Sequence, residues 1–148
     1  MPTDREHRPR ALGAAGRRAA LLFLLLFQGV SGMAGGVGLV ADPSGSTLGI
    51  PLEWLEGSPF PNYLIPGMVL LTGFGLGPLV VAYGVWRRRA WAQRAALLVG
   101  IGLVGWLGVQ IAVIGYQSSP PLQLIYGLAG LATTACAMRP LSDSGTCT

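Results

Sequence analysis

The sequence has no lysine, a single histidine (His7) and only two cysteines, Cys136 and Cys147, among its 148 residues. It contains no Cys-x-x-C pair and no cluster of histidines, so we expect neither a metal site nor a cofactor. We place both cysteines on the reducing, cytoplasmic side of a membrane, which argues against a structural disulfide. A lone histidine in a charged tail is expected to be solvated.

Charge is also scarce, at 11% of the residues, and none of it falls within four long apolar stretches. Soluble domains carry about 25% charged residues. We therefore predict an all-α membrane protein, a bundle of four transmembrane helices. The predicted spans are residues 19–41, 66–86, 95–116 and 122–138. Ion-coupled transporters, voltage sensors and intramembrane proteases normally need an ionisable group within a span, so we expect none of these activities.

The ten basic residues are all arginine, and they are sorted along the chain. They lie in the N-terminal tail, in the turn after span two and after span four: Arg5, Arg8, Arg10, Arg17, Arg18, Arg87, Arg88, Arg89, Arg94 and Arg139. The positive-inside rule places both termini and this turn in the cytoplasm. Residues 1–18 then form a basic cytoplasmic tail, residues 19–138 the membrane domain and residues 139–148 a flexible cytoplasmic tail. This sorting accounts for the net charge of +4, and we expect no nucleic-acid partner.

The first span has an alternative interpretation as a cleaved signal peptide. Arg17 and Arg18 precede a short apolar run, and Met33-Ala34-Gly35 is small enough to be cut. The apolar stretch continues to Asp42, however, which is long enough to cross a bilayer core of about 30 Å. We therefore favour an uncleaved span.

One sizeable loop, of 24 residues from 42 to 65, is expected on the external side. Proline at position 51 and glycine at position 57 favour a short interfacial helix between them. Glu53 and Glu56 would share one face of such a helix. Together with Asp42 they could bind a divalent cation or act as acid and base. A solvated loop face is the simpler interpretation.

Span two is interrupted by three glycines followed by Pro78, which frees the carbonyl of Phe74 from its normal helical partner. We hypothesise that Gln28, at a similar depth in span one, donates to this carbonyl. The functional alternative is a broken helix that lines a substrate site, as in some transporters.

Small residues form stripes on spans one and three that suit close helix packing. In span one the pattern is Gly32-x-x-x-Gly36, and in span three it is Gly105, Gly108, Ala112 and Gly115. Trp106, Gln110 and Gln117 lie nearly opposite the second stripe. We expect this amide-bearing face to meet a polar cavity or a partner chain, or its amides to serve as interhelical hydrogen bonds.

The loop contains the sequence Pro51-Leu-Glu-Trp-Leu-Glu-Gly-Ser-Pro-Phe60, followed by Asn62-Tyr-Leu-Ile-Pro-Gly67. Pro78, the Trp-Arg-Arg that ends span two and the Gln-Ile-Ala-Val-Ile-Gly after Val109 belong to the same pattern. Together these segments resemble a family of small bacterial four-helix membrane proteins without assigned activity. The resemblance covers residues 20 to 140 and implies a multi-pass protein of the bacterial cytoplasmic membrane.

The sequence predicts a non-enzymatic integral membrane protein that binds lipid, a partner membrane protein or a second copy of itself. The candidate binding residues are Glu53, Trp54, Glu56, Tyr63, Trp106, Gln110 and Gln117. A small pore or transporter for a neutral or lipophilic solute is the alternative. A membrane enzyme that uses the loop carboxylates is the third hypothesis.

Overall fold

The computed structural model describes residues 8–116 and 121–138, and every regular element within these ranges is helical. The helices are α1 (Arg8–Ala41), α2 (Leu64–Val69), a π-helical segment (Leu70–Leu76), α3 (Gly77–Trp86), α4 (Ala90–Ile114) and α5 (Leu122–Met138). The second to fourth of these run on without a break, and we call them the composite helix, Leu64–Trp86. Short 3₁₀ turns at Ser46–Leu48 and Leu52–Leu55 lie in the loop before it.

Three helices in the described part of the chain are long and apolar enough to cross a membrane: Gly13–Ala41, Leu64–Trp86 and Ala90–Val113. The all-helical prediction with membrane-length helices is confirmed to this extent. The apolar helix α5 is shorter, with 17 residues, or roughly 26 Å at about 1.5 Å per residue. Helix α1 begins at Arg8, inside the segment that we assigned to the basic tail.

The four long helices form a ring in which neighbours in sequence are also neighbours in space. Helix α1 packs along the composite helix and against α5, and α4 packs against α5 and α3. We call the end that holds residues 42–63 the loop end, and the end that holds residues 87–89 the arginine end. The main apolar core lies towards the arginine end and comprises Leu21, Leu25, Val81, Ala82, Val85, Ala92, Ala96 and Ala137.

Glycines allow α1 to touch the backbone of the composite helix. A Cβ atom added at Gly36 would lie 2.6 Å from the Cα of Leu71, and one at Gly32 would overlap the carbonyl of Phe74. Real side chains do not approach so closely, so only glycine permits this packing. The close contact expected of the Gly32-x-x-x-Gly36 stripe is therefore present.

The π-helical segment explains how the composite helix passes through its glycines to a proline. At its end the backbone N–H of Gly77 donates to the carbonyl of Thr72, five residues earlier. Pro78 follows at the start of α3 and is fully buried, where its missing N–H costs little. The expected interruption of span two is thus a widened turn within a continuous helix.

Within the described part of the chain, the small-residue stripe of α4 does not make the close helix contact that we expected of it. A Cβ added at Gly105 or Gly108 would meet nothing within 4 Å among the described residues. Helix α4 instead approaches α5 at Gly100, where a Cβ would lie 2.5 Å from the Thr134 hydroxyl. The physical reason is that Leu103, on the same side as Gly100, is buried and turns the stripe outwards.

Candidate functional site

Asp42, directly after α1, organises the loop. Its Oδ1 accepts hydrogen bonds from the backbone N–H and the hydroxyl of Ser44, at 3.1 and 2.5 Å. Its Oδ2 accepts from the Ser46 hydroxyl at 2.6 Å and from the backbone N–H and hydroxyl of Thr47, both at 2.8 Å. These donors, Ser44 foremost, hold the pKa of Asp42 well below its usual range. Both carboxylate oxygens are thereby committed to the loop's own fold.

Tyr63, one of the predicted binding residues, fixes the other end of the loop. Its ring is buried, its hydroxyl donates to the Pro51 carbonyl at 2.7 Å, and its backbone N–H donates to the Pro43 carbonyl at 2.9 Å. Gly45, with a φ of 77°, lets the chain turn against this ring. Burial raises the pKa of Tyr63. Since its hydroxyl is already engaged, Tyr63 supports the loop rather than offering a free polar group.

Glu53 and Glu56 are both exposed, and Trp54 between them is half-buried. All three lie in or beside the 3₁₀ turn Leu52–Leu55, which is followed by Gly57 with a φ of 85°. Within the described ranges, no group of three or more histidine, cysteine or acidic residues could hold a metal ion. The arrangement matches a solvated loop face, and the proposed partnership of these glutamates with Asp42 is not formed.

The Trp106 face of α4 is turned towards the composite helix. The Trp106 and Phe74 rings lie 5.9 Å apart between centroids, at 38° to each other. Gln110, one turn nearer the loop end, is half-buried, and Gln117 lies outside the described residues. Helix α4 also contacts the 3₁₀ turn Leu52–Leu55. The helix that carries Trp106 and Gln110 therefore contacts the turn that carries Glu53 and Trp54.

The hypothesis that Gln28 donates to the Phe74 carbonyl is wrong. Gln28 is 3% exposed, and its Nε2 donates to Thr133 Oγ1 at 2.6 Å and to the Ala129 carbonyl at 3.5 Å. Both partners are on α5. The reason is steric, because Gly32 already brings the α1 backbone against the Phe74 carbonyl and leaves no room for a glutamine side chain between them.

The arginine end carries a cluster of positive charges, which we used above only to predict the orientation of the chain in a membrane. Six arginine side chains are described there: Arg17, Arg18, Arg87, Arg88, Arg89 and Arg94. The three acidic residues that the structure describes, Asp42, Glu53 and Glu56, all lie at the loop end. The described bundle is therefore strongly polarised along its axis.

Arg18 and Arg87 are both held by neighbouring groups. Arg18 donates from Nε to the Val85 carbonyl at 3.2 Å and from a terminal nitrogen to the Trp86 carbonyl at 2.5 Å. It thus caps the last turn of α3, where a cation also opposes the helix dipole. Arg87 donates to the Tyr83 hydroxyl at 3.0 Å and lies 5.7 Å from the Trp86 ring.

Arg88 has an unusual backbone conformation for an arginine, with a φ of 54°. The N–H of Arg89 donates to the Gly84 carbonyl at 2.9 Å, and the N–H of Arg88 donates to the Val85 carbonyl at 3.2 Å. This pair of bonds is the Schellman motif, whose left-handed position is usually glycine. A strained residue of this kind often accompanies a functional site, and here it keeps an exposed guanidinium in the turn.

Exposed aromatic rings and an open cavity flank these arginines. Trp86 is 63% exposed and Trp91 is 47% exposed. Between α4 and α5 lies a shallow cavity of about 580 Å³, lined by Ala90, Gln93, Arg94, Leu97, Ala137 and Met138. Arg94 is therefore the charged side chain in a mainly apolar lining. Sequence spacing could not reveal this cavity, because its lining comes from the start of one helix and the end of another.

Comparison of the chain with protein families, curated proteins and solved structures finds no match. The resemblance to small bacterial four-helix membrane proteins consequently stays a prediction.

Proposed function

We propose that the chain is a four-span protein of a bacterial cytoplasmic membrane that binds anionic phospholipid at its arginine end and catalyses no reaction. The observation that carries the proposal is the group of exposed arginines, Arg88, Arg89 and Arg94, without an acidic residue near them among the described residues. An unbalanced cluster of this kind attracts anionic headgroups, by about 1 kcal/mol for each arginine near the membrane surface.

The surroundings of the cluster support a lipid rather than a soluble anion. Trp86 and Trp91 are exposed beside the arginines, and amphipathic rings of this kind favour the headgroup level of a bilayer. The cavity next to Arg94 is lined by Leu97 and Met138, which suit the upper part of an acyl chain. A phosphate would thus meet a guanidinium while its glycerol and first methylenes meet apolar carbon.

The topology that we propose follows from the same charge separation. The arginine end faces the cytoplasm, both termini are cytoplasmic, and the loop between α1 and α2 is external. Helix α5 serves as the fourth span, since at roughly 26 Å it nearly covers a bilayer core of about 30 Å. Reporter fusions after residue 90 should read cytoplasmic, and fusions at residue 55 should read external. The reverse pattern would overturn the orientation.

Lipid selectivity tests the binding proposal directly. The purified full chain would be placed in nanodiscs of phosphatidylcholine, alone or mixed with phosphatidylglycerol. We expect phosphatidylglycerol to raise the unfolding temperature, and we expect added salt to weaken the effect because exposed charges are screened. Replacing Arg88, Arg89 and Arg94 by glutamine should remove most of the increase, which corresponds to as much as about 3 kcal/mol.

A matched control separates a site from simple net charge. Replacing Arg5, Arg8 and Arg10 by glutamine removes the same amount of charge from the N-terminal tail. We expect this variant to keep the response to phosphatidylglycerol. If both triple variants respond like the wild type, or lose the response equally, the arginine end is not a specific lipid site.

A further inference from the structure

The cavity between α4 and α5 brings two arginines to one opening. Arg94 belongs to its lining, and so does Ala90, the first residue of α4. Arg89 is bonded directly to Ala90, and consecutive Cα atoms lie about 3.8 Å apart, so Arg89 lies at the rim of the cavity. One cationic side chain thus belongs to the lining and another to the rim.

The two arginines reach the same level of the bundle. Arg94 lies one turn further along α4 than Ala90, or about 6 Å along the helix axis. The Cα–Cβ bonds of a helix tilt towards its N-terminus, which for α4 is the arginine end. Both arginines are exposed, so the long side chain of Arg94 can extend back to the level of Arg89. Their Cα atoms lie roughly 9 Å apart in an α-helical backbone, which keeps the two charges separate.

This spacing suits a ligand with two phosphates. A phosphodiester has two free oxygens, and one guanidinium group can bind both of them through two parallel hydrogen bonds. Each arginine therefore matches one phosphodiester. A lipid with a single phosphate would leave the second charge unbalanced, since the acidic residues that the structure describes all lie at the loop end.

The rest of the lining suits an acyl chain. Leu97 and Met138 supply apolar walls, and the short side chains of Ala90 and Ala137 leave the space between them open. Gln93 donates from Nε2 to the Ala137 carbonyl at 3.1 Å and so holds α5 against the start of α4. The volume of about 580 Å³ falls within the range of roughly 300–1,000 Å³ that is usual for small-ligand sites.

We propose that this opening binds a lipid with two phosphodiesters joined by a glycerol bridge, which is the chemistry of cardiolipin. One phosphate pairs with Arg94 and the other with Arg89, while one acyl chain lies along Leu97 and Met138. Basic pockets between membrane helices suit such headgroups. The inference rests on the proposed function, because it needs an arginine end that binds anionic lipid, and it adds which lipid that end selects.

Native mass spectrometry of the full chain in dodecyl maltoside measures this selectivity. Cardiolipin and phosphatidylglycerol are titrated at equal phosphate concentration, and the dissociation constants of the first bound lipid are compared. We expect cardiolipin to bind at least about tenfold more tightly, because its second phosphate contact is intramolecular. Deacylated cardiolipin keeps both phosphates and has no chain, so it should compete only weakly.

Single substitutions show whether the two arginines act together. Arg89→Gln and Arg94→Gln each leave one phosphate contact, so either should remove most of the preference for cardiolipin while phosphatidylglycerol still binds. Arg87→Gln is the matched control, since it removes the same charge from the same turn. Arg87 is engaged by Tyr83 and Trp86, and its variant should keep the preference.

The part played by the cavity is tested by Ala90→Leu, which puts a larger side chain into the opening and leaves the charge unchanged. Ala135→Leu is the control, because Ala135 is also exposed at this end of the bundle but does not line the cavity. We expect Ala90→Leu to weaken cardiolipin binding severalfold and Ala135→Leu to leave it as in the wild type.

The outcomes separate this inference from the proposed function. Equal binding of the two lipids at equal phosphate would overturn the inference and leave the proposed function standing, whereas failure of both lipids to bind would overturn both. The inference also fails if the preference survives Arg89→Gln or Arg94→Gln, if Ala90→Leu binds cardiolipin like the wild type, or if deacylated cardiolipin competes as well as the intact lipid.

Discussion

The glycines of α1 and those of α4 follow similar small-residue spacings but meet opposite surroundings. At Gly32 and Gly36 the backbone of the composite helix fills the space where a side chain would stand. At Gly105 and Gly108 no other described residue occupies the corresponding space. In a membrane, the first face would be shielded by protein and the second would be covered by lipid or by another chain.

This difference shows what a small-residue stripe can and cannot predict. Glycine spacing permits a close approach between helices, but it does not say which side of a helix receives a neighbour. On α4 that choice follows from Gly100, Leu103 and Leu107, whose side packs against α5. The stripe of α4, which has the more regular spacing, faces away from the other described helices.

The largest effect is expected from Gly32→Ala, which adds one carbon atom to the filled face. The new Cβ would overlap the Phe74 carbonyl and lie 2.9 Å from the Gly75 nitrogen. Backbone cannot move aside as a flexible side chain can, so the helices must separate. We expect the free energy of unfolding to fall by about 2–3 kcal/mol, measured by SDS titration of the detergent-solubilised protein.

Gly29→Ala is the control for this prediction, because its Cβ would chiefly meet the movable end of Leu79. It should cost less than Gly32→Ala. If the two substitutions cost the same, the backbone contact between α1 and the composite helix is looser than the structure shows.

The helices themselves were predictable because a charge-free apolar stretch has few alternatives. The side of each helix that faces its neighbours was harder to predict. Gln28 was correctly singled out as a buried amide, but its partner was sought on the composite helix and lies on α5. The composite helix and α5 both pass Gln28 at a similar depth. Which of them the Gln28 side chain reaches depends on how α1 is rotated about its axis, and Gly32 and Gly36 determine that rotation only once the helices are packed.

A smaller effect is expected at the contact of α1 with α5, from Thr133→Val. This change keeps the shape of a fully buried side chain and removes the oxygen that accepts from Gln28. The cost should be about 1 kcal/mol, since hydrogen bonds between membrane helices contribute about 0.6 kcal/mol on average. Thr72→Val provides the control, because the Thr72 side chain is exposed and its hydroxyl donates to Met68 within its own helix. Equal losses would mean that the Gln28 contact adds nothing.

The loop that joins α1 to the composite helix should make a smaller, pH-dependent contribution to the stability of the protein. The folded-state pKa of Asp42 is lowered from its ordinary value of 3.8, so its contribution to stability is present above that value. This contribution decreases as the pH falls below 3.8, because the unfolded chain then takes up the proton first, and it is lost once the folded carboxylate is protonated too. We expect the unfolding temperature of Asp42→Asn to change less than that of the wild type between pH 6 and pH 3.

Glu53→Gln is the control for the pH experiment, since Glu53 is exposed and has no part in the Asp42 network. It should retain the wild-type pH dependence. If Asp42→Asn retains it too, the hydrogen bonds from Ser44, Ser46 and Thr47 do not stabilise the fold.

Candidate sites were less predictable than helices because they combine distant parts of the chain. The arginine turn was visible in the sequence, but the left-handed Arg88 and the cavity between the start of α4 and the end of α5 were not. The loop carboxylates drew attention because acidic residues are rare here. The structure gives Asp42 a structural role and leaves Glu53 and Glu56 exposed.

The smallest effect, and one of opposite sign, is expected from Gly108→Ala on the open face of α4. The added carbon meets nothing within 4 Å in the described chain, and alanine is a better helix former than glycine by as much as about 1 kcal/mol in water. In a membrane the unfolded segment stays largely helical, so the gain should be only a few tenths of that amount.

Gly100→Ala, two turns away on the packed side, should instead destabilise the protein because its Cβ would lie 2.8 Å from the Thr134 nitrogen. A loss of stability at Gly108 comparable to that at Gly100, and dependent on protein concentration, would show that a second copy of the chain covers the stripe. The contrast between the two glycine faces would then be one between contacts within a chain and contacts between chains.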